Sequence, residues 1–260
     1  MRNRVFMPRI SPVLFMCFAL AVGFDAAAQR KPPLPRMKFS GFDWVVRTSE
    51  VSEGPRDNLF GGRDVSVFAE NGGSLVLKIT EDEGAWKAAE VYYPHRFGYG
   101  TYLFRISTPL ADLDPNVVLG LFTYSSQRAY NNREIDIEFS AWGEKTDLPT
   151  LGQFVVQPYD DAGHMNSFPV TAFTGPSSHA FTWLEDRVEF ASWTGLGPRP
   201  AEGDPSLVAS WTFVGAKAVP KPGNEAVHMN LYLADGNSPP AGKGRTSVTI
   251  ESFSFAPAQK

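Results

Sequence analysis

The chain has 260 residues, which is enough for one large domain with a substantial core. Hydrophobic residues make up 43% of the sequence and aromatic residues 13%, a composition typical of a globular protein rather than a disordered or fibrous one. The formal charge is −4 at pH 7, and an acidic protein is poorly suited to nucleic acids or polyanionic substrates, so we expect no nucleic-acid partner.

The first 28 residues have the pattern of a secretory signal peptide. Three arginines precede an apolar segment from Ile10 to Phe24, which is short for a membrane span. Three alanines at 26–28 then offer a small-residue cleavage site. We predict that residues 1–28 are removed and that the protein is secreted or periplasmic, with no membrane association after cleavage. The alternative is an uncleaved N-terminal anchor.

Removal of this segment changes two properties of the mature chain. Cys17 is the only cysteine, so the mature protein would contain no disulfide and no reactive thiol. The formal charge becomes −6 instead of −4, because three arginines and one aspartate leave with residues 1–28. Such a chain fits a neutral substrate better than an anionic one.

The next residues, 29–36, form a proline-rich spacer, and a single domain is expected at 37–260. An Asn-Gly-Gly sequence at 71–73 predicts a hairpin turn, and no segment has the pattern of a long amphipathic helix. Short apolar or alternating segments predict strands at 39–47, 74–80, 86–93, 99–107, 116–124, 134–139, 153–157, 179–184, 187–193, 207–213, 227–233 and 246–255. The 23 glycines and 21 prolines suit the turns between them. This spacing predicts an all-β fold built as a two-sheet antiparallel sandwich.

The predicted strand at 134–139, with the sequence EIDIEF, has two different faces. Its two isoleucines and its phenylalanine alternate with Glu134, Asp136 and Glu138. Successive strand residues point to opposite sides, so the apolar residues enter the core and the three acids lie together on the other face. Like charges on one face repel each other, and stability alone gives no reason for that arrangement.

The α-carbons of Glu134 and Glu138 would lie about 13 Å apart along a strand. A retaining glycosidase needs its two carboxyl groups about 5–5.5 Å apart. A catalytic pair at these positions therefore requires a curved sheet with the acids on its concave face. The alternative is a solvated strand face, with or without a cation between the acids.

Several motifs in the chain occur in the order found in glycoside hydrolase family 16. The EIDIEF segment resembles the catalytic signature of that family's lichenases. Four further segments resemble family motifs, namely GYGTY at 98–102, LFTY at 121–124, HAFTW at 179–183 and MNLY at 229–232. The resemblance covers residues 40–256.

This resemblance implies a β-jelly roll with a concave substrate cleft and retaining hydrolysis of a β-linked polysaccharide. Carried over by position, Glu134 is the nucleophile and Glu138 the general acid/base. Asp136 lies between them, and its implied role is to share a proton with the nucleophile. The roles are chemically consistent, because Glu134 must be ionised to attack while nearby negative charge keeps Glu138 protonated.

The resemblance also implies a set of sugar-binding side chains, for which six positions are candidates: Glu90, Trp142, Gln153, Gln157, Asn230 and Tyr232. The alternative for Glu90 is an ordinary strand carboxylate, and for Trp142 a packing role. Tyr232 replaces the tryptophan usual in the family, and an aromatic ring with a hydroxyl can both cover and hydrogen-bond a sugar. His95, His164 and His228 lack the spacing of metal ligands, and His179 is expected to be structural.

The implied substrate is a neutral β-1,3- or mixed β-1,3-1,4-glucan, which the protein would cut internally as a monomer. The acidic charge disfavours sulfated galactans. Departures from the lichenase pattern lie where specificity is set, in YNNR at 130–133, Val155 and Gln157. Two other functions use the same residues or fold: a transglycosylase, and a non-catalytic carbohydrate-binding module. Family members often hold a structural calcium ion, but no ligand loop for one is evident, so we expect no cofactor and no catalytic metal.

Overall fold

The computed structural model describes residues 33–69, 73–143, 150–215, 218–236 and 238–259. Residues 34–260 form one compact unit. The predicted signal peptide, Cys17 and most of the predicted turn at 71–73 lie outside the described residues.

The first sheet carries the acidic strand. Its main path runs in the order β1 (Arg36–Phe39), β2 (Phe42–Val46), β7 (Ala85–Tyr93), β16 (Ala226–Leu233), β9 (Val117–Tyr124), β10 (Ile135–Ser140), β11 (Leu151–Val156) and β12 (Met165–Pro169). Two short strands, β3 (Leu59–Phe60) and β6 (Thr80–Asp82), pair with β7 off this path. Every pair on the main path is antiparallel.

The second sheet has seven described strands and is antiparallel throughout. Its order is β15 (Leu207–Val214), β14 (Arg187–Thr194), β13 (Ser177–Trp183), β8 (Gly100–Ile106), β17 (Ser247–Pro257), β5 (Leu75–Lys78) and β4 (Val67–Ala69). Two single turns of 3₁₀ helix, Leu110–Asp112 and Asn131–Arg133, are the only helices among the described residues. Neither of these is long and apolar enough to cross a membrane.

The two sheets pack face to face around one apolar core. Alternate residues of each strand enter it, as the fully buried Phe104, Ile137, Phe154 and Phe181 illustrate. Burying one such side chain contributes roughly 1.5–3 kcal/mol. The protein is therefore a two-sheet antiparallel β-jelly-roll sandwich, and the predicted fold class is confirmed.

Most predicted strands are present within a few residues, but the single strand predicted at 39–47 is wrong. The chain reverses at Ser40 and Gly41, both with positive φ, and forms the hairpin of β1 and β2. The short strands β3, β4 and β6 and the largely exposed β12 were also not predicted. Runs of two or three residues carry too little alternation to be recognised.

Candidate active site

The acidic strand β10 has the two faces that its sequence predicts. Ile135, Ile137 and Phe139 are fully buried in the core between the sheets. Glu134 precedes the strand in an extended conformation, with φ −91° and ψ 122°, so it continues the alternation of Asp136 and Glu138. The three acids therefore project from the outer face of the first sheet.

The segment before Glu134 is held from the side. The buried guanidinium of Arg133 donates from Nε to the carbonyl oxygen of Lys221 over 2.9 Å. Gly223 leaves room for this group, because a Cβ there would collide with the guanidinium. Thr123 donates its hydroxyl to the carbonyl of Arg133 over 2.9 Å. Arg133 thus fixes the start of the acidic strand.

Strand register places four of the predicted site residues in one row across the sheet. Glu138 lies opposite Gln153 on one side and opposite Gly120 on the other. Asn230 lies opposite Gly120 and, on its far side, opposite Glu90. Directly opposite residues share a face, so these side chains all belong to the outer face. Gly120 is required because the Asn230 amide lies where its Cβ would be.

A cavity of about 520 Å³ lies over part of this face. It is lined by six of the nine predicted site residues: Glu134, Glu138, Trp142, Gln153, Gln157 and Tyr232. Asp136, Glu90 and Asn230 are buried in the floor of the sheet, each with 3% or less of its surface exposed. Trp142 also packs against the core, and its contact with sugar stays a prediction.

Neighbouring side chains orient two of the three acids. The hydroxyl of Tyr232 donates to Oε1 of Glu138 over 3.2 Å. Nε2 of Gln157 donates to Oδ2 of Asp136 over 3.0 Å. The Gln157 amide orientation is supported independently, because its Oε1 accepts the backbone N–H of Tyr159 over 2.9 Å.

Burial raises the pKa of all three acids, and the charge of neighbouring acids adds to this effect at Glu134 and Asp136. Burial, then the charge of Glu138, raises the pKa of Glu134 to about 7. Burial and the charges of both neighbours raise the pKa of Asp136 well above its usual value, against the Gln157 hydrogen bond. Burial also raises the pKa of Glu138, although the Tyr232 hydrogen bond and the charge of Arg56 oppose it. A raised pKa suits the acid of such a pair, which must hold a proton when the substrate binds.

Glu90 has protein partners on both carboxylate oxygens. Its Oε2 accepts from Arg47 over 2.7 Å, and its Oε1 lies 2.9 Å from Nδ1 of His228. Burial alone would raise the pKa of Glu90, but the hydrogen bonds and charges of His228 and Arg47 outweigh it and lower that pKa. Glu90 is thus an ionised carboxylate inside an Arg47–Glu90–His228 cluster, and its predicted contact with sugar stays a prediction.

Asn230 has a buried acceptor without a described partner, on the strand two away from the acidic strand. Its Oδ1 is buried and has no hydrogen-bond partner among the described residues. A buried acceptor without a partner costs about 1–3 kcal/mol, which a sugar hydroxyl or a water molecule would recover. The predicted contact of Asn230 with substrate stays a prediction.

Six residues that line the cavity were not predicted from the sequence: Arg56, Ala141, Leu151, Tyr159, Met165 and Ala234. Arg56 lies in the loop between β2 and β3, Tyr159 in the loop between β11 and β12, and Met165 at the start of the unpredicted strand β12. No local pattern marks any of them. Among the described residues, no group of three or more His, Cys, Asp or Glu side chains is arranged to hold a metal ion.

No protein-family model matches the chain, and a search of curated proteins found no match either. Solved structures do match. A β-glucanase of Bacillus licheniformis is 17% identical with a TM-score of 0.59, and the match covers 83% of this chain and 92% of that one. A β-1,3-1,4-glucanase (lichenase) from a mouse hindgut metagenome is 18% identical with a TM-score of 0.56, covering 83% and 93%.

A third similar structure is described as an immunostimulatory antigen and pseudo β-1,3-glucanase of Mycobacterium tuberculosis. It is 18% identical with a TM-score of 0.57, and the match covers 83% of this chain and 91% of that one. At such identities the likeness shows a shared fold. That fold is the one which the family 16 resemblance of the sequence implies.

Proposed function

We propose that the protein is a secreted, retaining endo-glycosidase that hydrolyses a neutral β-1,3- or mixed β-1,3-1,4-glucan. The observation that carries the proposal is the face of β10, where Glu134, Asp136 and Glu138 lie together beside a cavity and have raised pKa values. The described glucanase structures of the same fold support the substrate class.

The proposed reaction has two steps. Ionised Glu134 attacks the anomeric carbon while Glu138 gives its proton to the departing glycosidic oxygen. The glycosyl-enzyme ester then removes the charge of Glu134, and Glu138, now a carboxylate, takes a proton from the attacking water. In this proposal Asp136 shares a proton with Glu134 and so orients the nucleophile between turnovers.

Substrate choice is tested with a panel of polysaccharides. We expect lichenan, laminarin or both to be shortened internally, with the β-anomer formed first, because the cavity presents amides and hydroxyls that suit neutral sugars. Chain length is followed by size-exclusion chromatography and anomeric form by proton NMR. Cleavage of agarose or carrageenan alone would refute the substrate, and transfer products in place of reducing ends would favour the transglycosylase.

Export is tested at the N-terminus of the protein made by its source cell. The arginine-flanked apolar segment and the alanines at 26–28 predict a mature chain that begins at or near Gln29. Edman sequencing or mass spectrometry of the natural product measures this directly. A full-length protein retained in the cytoplasm would contradict secretion without affecting the proposed chemistry.

A further inference from the structure

Arg56 has an unusual position for a loop residue. It lines the same cavity as Glu138, and no described acidic side chain lies within 4.0 Å of its guanidinium. It is also the only Lys or Arg among the described residues that line this cavity, which contains the carboxyl groups of Glu134 and Glu138. A cation without an ion-pair partner is thus presented to a cluster of acids.

The backbone around Arg56 is pinned to the end of β16. The carbonyl of Arg56 accepts the N–H of Gly236 over 3.1 Å. The side-chain amide of Asn58 donates to the Leu233 carbonyl over 2.9 Å and accepts the Leu233 N–H over 3.0 Å. Gly236 permits the close approach, because a Cβ there would collide with the Arg56 carbonyl. Tyr232, which donates to Glu138, lies next to Leu233 on the same strand.

The base of the loop is tied to the floor of the sheet. The guanidinium of Arg47 contacts buried Glu90 over 2.7 Å, Glu53 over 2.8 Å and the carbonyl of Gly54 over 2.9 Å. The buried carboxylate of Glu90 therefore anchors the loop that carries Arg56. This is a structural use for Glu90 that does not require contact with sugar.

The loop holds Arg56 in a backbone conformation that is unfavourable for residues other than glycine. Arg56 has φ 55° and the following Asp57 has φ 57°, both in the left-handed region. The left-handed conformation is unfavourable at both residues, and such strain persists only where surrounding contacts impose it. The anchors at Gly236, Asn58 and Arg47 supply those contacts.

We propose that Arg56 is a positioning residue for the acid/base, held at the cavity to favour the carboxylate form of Glu138 as its proton moves to the departing oxygen. This inference rests on the proposed function. In the first step the O–H bond of Glu138 breaks, its proton passes to the glycosidic oxygen, and the negative charge left on Glu138 is stabilised by the guanidinium. In the second step Glu138 recovers a proton from water and Arg56 is unchanged.

Among the described residues, the groups that face Glu138 lie on its own strand, on neighbouring strands and in the loop that carries Arg56. Glu134 and Asp136 lie on its own strand segment, Tyr232 faces it from β16 and Arg56 from the loop, while Gln153 and Gly120 on the flanking strands are uncharged. The charge of Arg56 lowers the pKa of Glu138 against the larger effect of burial. Among the described residues that face Glu138, Arg56 is thus the only one with a positive charge.

The test compares Arg56→Gln with Arg56→Lys and with Arg63→Gln, a matched loss of one positive charge on the exposed Arg63 outside the cavity. In Arg56→Gln we expect the basic limb of the pH profile of kcat/KM to move up by roughly 0.5–1 pH unit. We expect kcat on polysaccharide to fall about threefold to tenfold, with little change on an aryl glycoside whose leaving group needs no proton. Arg56→Lys keeps the positive charge, so its pH profile and its kcat should stay close to those of the wild type. Arg63→Gln should show neither the pH shift nor the fall in kcat.

A second readout does not need activity. The carboxyl ¹³C resonance of Glu138, assigned by its loss in Glu138→Gln, is titrated in the wild type and in Arg56→Gln. A Glu138 titration that moves to higher pH in Arg56→Gln supports the inference. If no polysaccharide is cleaved by the wild type, that result overturns the proposed function but leaves this titration result valid. A titration and a basic limb that both stay in place would overturn the role of Arg56.

Discussion

Replacement of Glu134 by alanine is expected to lower kcat/KM on the polysaccharide on the order of 10⁴-fold or more, because the covalent step loses its nucleophile. Replacement of Glu138 is expected to cost about 10²–10⁴-fold on the polysaccharide, the usual range for a general acid. On an aryl glycoside with a good leaving group, Glu138→Ala should form the glycosyl-enzyme nearly as fast as the wild type, and its breakdown should be the slow step.

Initial rates on both substrates measure these effects, with a burst of released phenol as the sign of slow breakdown. Glu81→Ala is the matched control, since Glu81 is an exposed carboxylate on the short strand β6. Circular dichroism and thermal unfolding show whether each variant is folded. A folded Glu134→Ala that keeps more than a tenth of wild-type activity would contradict the assignment of the nucleophile.

Acid sensitivity of the fold is expected to depend on His179. This side chain is fully buried, its Nε2 lies 2.9 Å from Oγ of Ser177, and its Nδ1 lies 2.9 Å from Oγ of Ser192. Burial lowers its pKa to about 3, from 6.5 in the unfolded chain. His179 is therefore a neutral structural residue of the buried interior, as its sequence context predicts.

The sign of the effect follows from proton binding. Between pH 6.5 and 3 the unfolded chain binds a proton at His179 and the folded protein does not, so stability is lost as the pH falls through this range. The loss approaches about 5 kcal/mol below pH 3. This is comparable with the whole free energy of unfolding of many domains.

The comparison with His179→Gln isolates this contribution. An amide can bond both Ser177 and Ser192 but does not titrate, so the difference in unfolding free energy between the two proteins should vary with pH below 6.5 and be constant above it. The wild type alone cannot show the effect of His179, because the raised pKa values of the three acids stabilise the folded state as the pH falls. Both proteins contain these acids, so their effect cancels in the difference. A difference independent of pH, from urea titrations at pH 3–8, would contradict a neutral buried His179.

Local sequence was sufficient for the parts of the site that depend on local geometry. Side chains alternate along any strand, so the alternation at 134–139 predicts that Glu134, Asp136 and Glu138 share a face. Strand pairing is less local. The row from Glu90 to Gln153 follows from registers set by the whole sheet, and only the family resemblance pointed to it.

The remaining features depend on contacts between distant segments. The ion pair of Arg47 with Glu90 joins residues 43 positions apart, and nothing near Glu90 in the sequence indicates that its oxygens are occupied. Arg56 reaches the cavity because Asn58 is bonded to Leu233, 175 positions away. The loop sequence gives no sign of such an anchor, so the position of Arg56 at the cavity could not be predicted.

The central claim is that Glu134 is the nucleophile and Glu138 the acid/base, and the configuration of an azide product tests it most directly. Each alanine variant is incubated with an activated aryl β-glycoside and sodium azide, and the glycosyl azide is identified by proton NMR. Glu138→Ala should give the β-azide, because the covalent intermediate still forms and azide attacks it from the open face. Glu134→Ala should give the α-azide, because azide takes the place of the missing carboxylate. The opposite anomers would reverse the two roles, and no azide product from either variant would contradict retaining catalysis at this site.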